Sequence, residues 1–199
     1  MTVYVAFLRG IMPMNPNMHG AKLRATFEKI GLRNVRTVIA SGNVIFESGK
    51  SAAVLEALIE KTLPVELGFS STTMIRSEDE IRRLIARDPF KRARGKPNVT
   101  FFKKPPAKTK LPQNGKGFTG YGLVSRAFCF TVDTAVVKTP EAMLTLEREF
   151  GKAITTRTFG TVLRVMEKMG KAAKSELIDG GVKVKRKPPK EENPLRSSR

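Results

Sequence analysis

The chain has 199 residues, enough for one domain or two small ones, and 40% of them are hydrophobic, enough for a packed core. Its 37 lysine and arginine residues against 18 aspartate and glutamate residues give a formal net charge of +19, which favours polyanionic partners. A single cysteine excludes an internal disulfide, and with a single histidine it leaves too few ligands for a thiolate cluster or an ordinary zinc site. We therefore predict no metal and no cofactor.

The hydropathy pattern and the amino terminus predict a cytoplasmic protein. No run approaches the ~18 apolar residues that a membrane helix needs. Residues 1–10 form a strand-like run and lack the basic region followed by an apolar stretch that marks a signal peptide. We expect no association with membranes.

The first part of the chain predicts the order β-α-β-β-α-β. Strands are expected near Val3, Val35, Val44 and Thr73, because β-branched and aromatic residues cluster there between turn signals. Apolar residues at helical spacing predict helices from about Ala21 and from about Ala52, the second with a buried stripe at 54, 55, 58 and 59 and with Pro64 beyond its end. This order favours a ferredoxin-like unit in which two helices cover one face of a single antiparallel sheet.

A third helix is predicted to begin at Ser77, because Ser77 and Glu80 have the spacing of a capping box. Asp88 and the proline after it end this helix, so we place a domain boundary there. The predicted organisation is a ferredoxin-like α+β domain over residues 1–88, a smaller α+β portion over 89–173, and a disordered basic tail over 174–199.

The second portion is less regular. Residues 99–102 predict a strand, 104–119 a loop rich in proline, glycine and lysine, and 122–132 one half-buried strand, in which Arg126 interrupts an otherwise apolar face. Two helices are predicted, one from Thr139 and one from Phe159 to Met169. From Lys174 onward the apolar content falls, which predicts the tail.

Several segments resemble a bacterial family known as domain of unknown function 1697. The resemblance is carried by the segments at residues 5–11, 34–37, 41–46, 89–90 and 155–158, and it covers roughly residues 1–169. It implies two α+β portions, the first ferredoxin-like, and it implies no catalytic residues. Many members have a glycine pair after the first strand, whereas this chain has Met-Pro-Met-Asn-Pro-Asn over residues 12–17.

One group of polar residues at strand ends and turns suggests a site for a small anion. Guanidinium groups pair with phosphate or carboxylate, and hydroxyl and amide groups add hydrogen bonds. The alternative is that these residues form turns and helix caps and that the arginines bind backbone carbonyls. The candidates are Arg9, Asn17, Ser41, Asn43, Thr155, Thr156 and Arg157.

A second group suggests contacts with a nucleic-acid backbone. Residues 89–132 contain ten basic residues and no acidic residue, with Phe101, Phe102, Phe118 and Tyr121 among them as stacking groups, and residues 182–199 carry seven basic and two acidic residues. The alternatives are a solvated loop whose aromatic residues belong to the core, and a tail that only aids solubility. The candidates are Lys91, Arg92, Arg94, Lys96, Lys103, Lys104, Lys108, Lys110, Lys183, Lys185, Arg186 and Lys187.

Three functions stay open on the sequence alone. The first is a non-enzymatic protein that binds RNA or the backbone of DNA without sequence preference. The second is an enzyme or sensor for a small ligand that carries phosphate or carboxylate, and the third is a scaffold that self-associates, for example as a homodimer. The favoured hypothesis is the first, and it involves no catalysis, because the lone strand cysteine, Cys129, is more typical of a small core residue than of a nucleophile.

Overall fold

The computed structural model describes residues 1–40, 42–106, 114–115 and 117–179. Within these residues the chain is a mixed α+β protein with two four-stranded antiparallel sheets and five α-helices. None of these helices is both long and apolar enough to cross a membrane. The strands are β1 (Thr2–Leu8), β2 (Arg33–Thr37), β3 (Asn43–Ser48), β4 (Thr73–Ser77), β5 (Lys96–Phe102), β6 (Phe118–Val124), β7 (Ala127–Val132) and β8 (Ile154–Thr158). The helices are α1 (Gly20–Lys29), α2 (Ala52–Leu67), α3 (Glu78–Ala86), α4 (Thr139–Phe150) and α5 (Phe159–Asp179).

The first sheet has the strand order β2-β3-β1-β4, and all three pairings are antiparallel. The four strands predicted in the first part of the chain thus lie in one sheet. Helices α1 and α2 cover one of its faces, where Phe27 of α1 and Leu55 of α2 pack in a cluster with Phe46 of β3. The burial of these apolar side chains is the main force that holds the helices on the sheet.

Helix α2 differs from its prediction in two ways. Pro64 lies inside the helix, which continues to Leu67 and ends at Gly68 in the left-handed conformation with φ 72°. Val54, predicted in the buried stripe, is 53% exposed, whereas Glu56 is buried. The Glu56 carboxylate is tolerated there because it accepts a hydrogen bond from the backbone of β4.

The second sheet has the strand order β6-β7-β5-β8, and α4 packs on its outer face. The single strand predicted over residues 122–132 is wrong: the chain turns at Ser125 and Arg126, so β6 and β7 form a hairpin. Ser125 has a φ of 54°, a conformation that usually favours glycine or asparagine, so the turn carries no sequence signal. Arg126 interrupts the apolar pattern because it lies at this turn and pairs with Glu80.

Two elements near the end of the chain also differ from their predictions. Residues 154–158 form strand β8, which the sequence analysis does not predict: Ile154 is its single apolar residue, so the segment shows no apolar alternation, although its three threonines are compatible with a strand. Helix α5 continues beyond Met169 to Asp179 and so includes the first residues of the predicted tail. The rest of that tail lies outside the described residues.

The two sheets are built to one plan. Adding four to each strand number of the first sheet gives the order of the second, and in both halves a helix precedes and another follows the last strand. The registers agree as well, because Leu8 pairs with Thr73 as Phe102 pairs with Ile154. Helix α1 has no counterpart between β5 and β6 among the described residues. Whether residues 1–88 form an independent domain stays a prediction.

The inner faces of the two sheets share one hydrophobic core. Phe7 and Phe101, which occupy equivalent positions in β1 and β5, stack with ring centroids 4.2 Å apart and an interplanar angle of 11°. Equivalent residues of the flanking helices, Ile81 of α3 and Val162 of α5, are buried in the same cluster. The halves therefore bury one another's apolar surface.

Two arginines, the buried Arg76 and the half-buried Arg157, link the halves reciprocally. Arg76 of β4 donates to the carbonyl oxygens of Phe102 at 2.5 Å and of Arg126 at 2.6 Å, both in the second half. Arg157 of β8 donates to the carbonyl oxygen of Leu8, in the first half, at 2.7 Å. Each guanidinium also lies over the stacked ring of the opposite half, 5.5 Å from the Phe101 centroid for Arg76 and 5.8 Å from the Phe7 centroid for Arg157.

We predict that Arg76→Met lowers the free energy of unfolding by about 3 kcal/mol or more, because it leaves several buried carbonyl groups without a donor. The measurement is urea denaturation followed by circular dichroism. The matched control is Arg82→Met on α3, whose side chain is 57% exposed and bonds only to neighbouring acids of its own helix. The control should change stability by no more than about 0.5 kcal/mol. Equal midpoints for the two variants would contradict the role assigned to Arg76.

Candidate functional site

Two of the predicted anion-binding residues are engaged inside the protein. The Arg157 guanidinium donates to Asn43 Oδ1 at 2.7 Å, to Thr155 Oγ1 at 2.8 Å and to the Thr156 carbonyl oxygen at 2.9 Å, besides its bond to Leu8. The Asn43 amide in turn donates to the Val38 carbonyl oxygen. Burial lowers the pKa of Arg157 to about 10, which still leaves it charged at neutral pH. These contacts hold the loop before β3 and the end of β1 against β8.

Three other predicted residues come together in a cleft of about 310 Å³, called here the β8 cleft. Arg9 enters from the end of β1, and its Nη2 lies 2.6 Å from Glu147 Oε1 of α4. The cleft lies between α4 and β8, and its lining includes Arg9, Met143, Glu147, Ile154, Thr155 and Thr156. Asn17 does not line it; it lies in a short 3-10 helix and accepts a hydrogen bond from Lys22. Ser41 lies outside the described residues.

The predicted backbone-binding residues divide by exposure. Lys91, Arg92, Arg94, Lys96 and Lys104 are exposed. Lys103 is different, because its side chain is 28% exposed and pairs with Glu60 at 2.5 Å. The remaining candidates, Lys108, Lys110, Lys183, Lys185, Arg186 and Lys187, lie outside the described residues.

The sequence prediction missed Arg83 and Arg87, which extend the exposed basic group onto α3. Both line a cleft of about 480 Å³, called here the α3 cleft, with Val124 and Ser125 from the β6–β7 hairpin. Their spacing of four residues on the polar face of a predicted helix was a usable signal. The acid-free segment on which the prediction rests begins at Pro89, after the helix.

The proposed stacking role of Phe101 and Phe102 is wrong, because both side chains are buried. Adjacent residues of a strand face opposite sides of the sheet, and each side of this sheet is covered. Phe101 lies in the core between the sheets, and Phe102 packs in the cluster with α4. Phe118 and Tyr121 are partly buried and pack against the same two clusters.

Metal and thiol chemistry find no support in the described part of the chain. No group of three or more histidine, cysteine, aspartate or glutamate side chains is placed there to hold a metal ion. Cys129 is fully buried in the core between the sheets, and burial raises the pKa of its thiol to about 12. Since the thiolate is the reactive form, this residue is an inert core side chain at neutral pH.

We predict that Cys129 does not react with Ellman's reagent in the native protein at pH 8. The thiol is covered and protonated, so modification should require unfolding. In 6 M guanidinium chloride, the reaction should go to completion within minutes and release about one equivalent of the coloured thiolate of the reagent per chain. Rapid stoichiometric reaction without denaturant would show that β7 opens readily.

The chain matches the family model described as "Protein of unknown function (DUF1697)" over residues 1–117. Among solved structures it is similar to the conserved bacterial protein SP0830 from Streptococcus pneumoniae, with a TM-score of 0.62 and 20% identity over 84% of this chain and 98% of that chain. At this identity the similarity shows the fold alone, and no curated protein matches the chain. Since the family model covers more than half of the 199 residues, the chain belongs to the DUF1697 family.

Proposed function

We propose that the protein binds the phosphate backbone of nucleic acid and does not catalyse a reaction. One observation carries the proposal: residues 83–96 contain six basic residues and a single acid, Asp88. All six basic side chains, Arg83, Arg87, Lys91, Arg92, Arg94 and Lys96, are exposed. Within the described residues, none of the six side chains makes an ion pair or hydrogen bond.

Several other cationic side chains of the surface are paired, which sets this basic surface apart. Arg9 pairs with Glu147, Lys29 with Glu66, and Arg82 with Glu78 and Asp79. Charges without a nearby carboxylate keep their counterions and release them when phosphates take their place. That release favours binding to a polyanion and steers its approach.

The arrangement favours binding that does not depend on sequence. The basic side chains lie on the polar face of α3, on the segment after it and at the start of β5, beside the α3 cleft. Phosphate contacts position a protein but carry no sequence information. Of the aromatic side chains considered as stacking groups, Phe101 and Phe102 are buried, and Phe118 and Tyr121 are partly buried against the core, so the proposal rests on backbone contacts with either RNA or DNA.

Two finer features belong to the same proposal. We assign residues 1–88 to the ferredoxin-like type, supported by the β-α-β-β-α-β order and the strand order β2-β3-β1-β4. A cytoplasmic location is proposed because nucleic acid is the expected partner.

We predict a steep dependence of affinity on salt, measured by fluorescence anisotropy with labelled RNA and DNA between roughly 50 and 200 mM salt. Six phosphate contacts would give a log–log slope of about −5 on duplex DNA and about −4 on single strands. Replacing Lys91, Arg92 and Arg94 together by alanine should flatten the slope by about 2 to 3 and weaken all sequences alike. Deletion of residues 182–199 should flatten the slope in proportion to the number of phosphates that the tail contacts.

The matched control replaces Lys22, Lys29 and Lys61 by alanine, which removes the same charge from the exposed side of α1 and α2. If net charge alone mattered, the salt dependence of both triple variants would flatten equally. If a defined surface binds the phosphates, only the variant at Lys91, Arg92 and Arg94 should show a flatter slope. Binding that is absent at low salt, or that does not respond to salt, would refute the proposal.

A further inference from the structure

Two carboxylates of α2 accept hydrogen bonds from backbone N–H groups at the outer edge of β4. The backbone N–H of Thr73 donates to Glu60 Oε1 at 2.7 Å, and the backbone N–H of Ile75 donates to Glu56 Oε1 at 2.9 Å. Since β4 ends the first sheet, these amides have no neighbouring strand on that side. The acidic side chains supply the acceptors that a further strand would have supplied.

Strand β8 ends the second sheet in the same way, and its Thr156 is equivalent to Ile75. The N–H of Phe102 donates to Arg126 on the side of β7, so the pair of Phe102 and Ile154 is not hydrogen-bonded between β5 and β8. In such a pair the N–H of Ile154 points away from β5. Since backbone N–H groups alternate in direction along a strand, the N–H of Thr156, two residues further on, points away from β5 as well. It therefore lies on the open edge of β8.

Helix α4 has only one of the two matching carboxylates, and it lacks the counterpart of Glu56. Glu56 and Glu60 each follow a buried residue of α2, and the residues that follow buried Ala142 and Leu146 in α4 are Met143 and Glu147. Met143, at the position of Glu56, has no oxygen acceptor. Glu147, at the position of Glu60, pairs with Arg9 as Glu60 pairs with Lys103, and the Thr156 N–H does not donate to it. Among the described residues the N–H of Thr156 accordingly has no acceptor. The β8 cleft lies between these side chains and the strand edge.

We propose that the β8 cleft binds a small organic carboxylate, whose oxygen takes the place that the Glu56 carboxylate has at β4. This site is separate from the α3 cleft and does not depend on the proposed function. One carboxylate oxygen accepts from the N–H of Thr156, and Arg9, which uses only Nη2 for Glu147, donates from its other nitrogens. The charges of Arg9 and Glu147 cancel, and Glu147 repels added negative charge, so a ligand should carry as little negative charge as possible. A monoanionic carboxylate therefore fits better than a phosphate dianion.

The size of the cleft agrees with this ligand class. About 310 Å³ lies at the lower end of the range for small-molecule sites. Its walls combine the apolar Met143 and Ile154 with the polar Arg9 and Thr156, which is the usual mixture of apolar contact and a few fixed hydrogen bonds.

The first test is a titration of the full ¹⁵N-labelled chain with sodium acetate, followed by NMR. The Thr156 amide proton should move downfield with saturation, because it gains a charged acceptor. Acetamide, the uncharged analogue, and inorganic phosphate should each bind with an affinity at least about tenfold lower than that of acetate. The proposal is overturned if the Thr156 amide does not shift with acetate, or if phosphate shifts it at lower concentration.

The second test introduces the missing carboxylate through Met143→Glu. This variant should raise the melting temperature and weaken acetate binding at Thr156 by about tenfold or more, since its own side chain fills the position. The control is Leu144→Glu, which adds the same charge next to it on a side chain that is 59% exposed. Unchanged acetate binding in Met143→Glu, or equal loss in both variants, would overturn the assignment of the site.

Discussion

The reciprocal hydrogen bonds of Arg76 and Arg157 are the constraint on which the rest of the molecule depends. Each guanidinium belongs to the last strand of its own half and donates to a carbonyl group at the end of the first strand of the other half. The bonds fix the ends of the two sheets relative to each other, and the rings of Phe7 and Phe101 stack between them. Both clefts are bounded by segments that this arrangement positions.

A guanidinium group in a core is costly unless nearly all of its donors have acceptors. The pKa of Arg76 is lowered to about 10. Burial is the largest cause and the nearby Arg126 adds to it, while Glu80 and Glu56 oppose the shift. The Nε of Arg76 is buried without a hydrogen-bond partner in the described residues, and the Phe101 ring beside it offers a cation–π contact. Three carbonyl oxygens offset the rest of the cost. Such a group favours one arrangement of the two halves over others that bury equal apolar area.

The first half was predictable because its signals are local. Apolar periodicity, the turn before β3 and the capping box of Ser77 and Glu80 each fix an element within a few residues, and the capping box is present in the structure. The second half depends on contacts between distant residues. The turn at Ser125 is held by the bonds of Arg126 to Glu80 and neighbouring carbonyls, and β8 by its pairing with β5, so neither has a pattern of its own.

The candidate sites show the same limit. The sequence identified Arg9, Thr155 and Thr156, which do share a cleft. It could not separate them from Arg157, because two of the acceptors of Arg157, the Leu8 carbonyl and the Asn43 side chain, lie more than a hundred residues away in the chain. The repeat of the two halves was hidden as well. Its clearest matches are single residues, such as Phe7 with Phe101 and Arg76 with Arg157, and the helix that would align with α1 is absent from the described part of the second half.

The described residues of the two halves differ in what packs on the outer face of each sheet. In the first half α1 places Phe27 edge-on against Phe46, so that a helix seals the outer face. In the second half Phe118, Phe128 and Phe130 stack on one another instead, with the centroids of Phe118 and Phe130 5.1 Å apart and those of Phe128 and Phe130 5.8 Å apart. Neighbouring strands thus cover part of their own outer face through a row of aromatic rings, beside α4. Among the described residues, the outer face of the second sheet therefore depends on contacts between its own strands where the first sheet depends on a second helix.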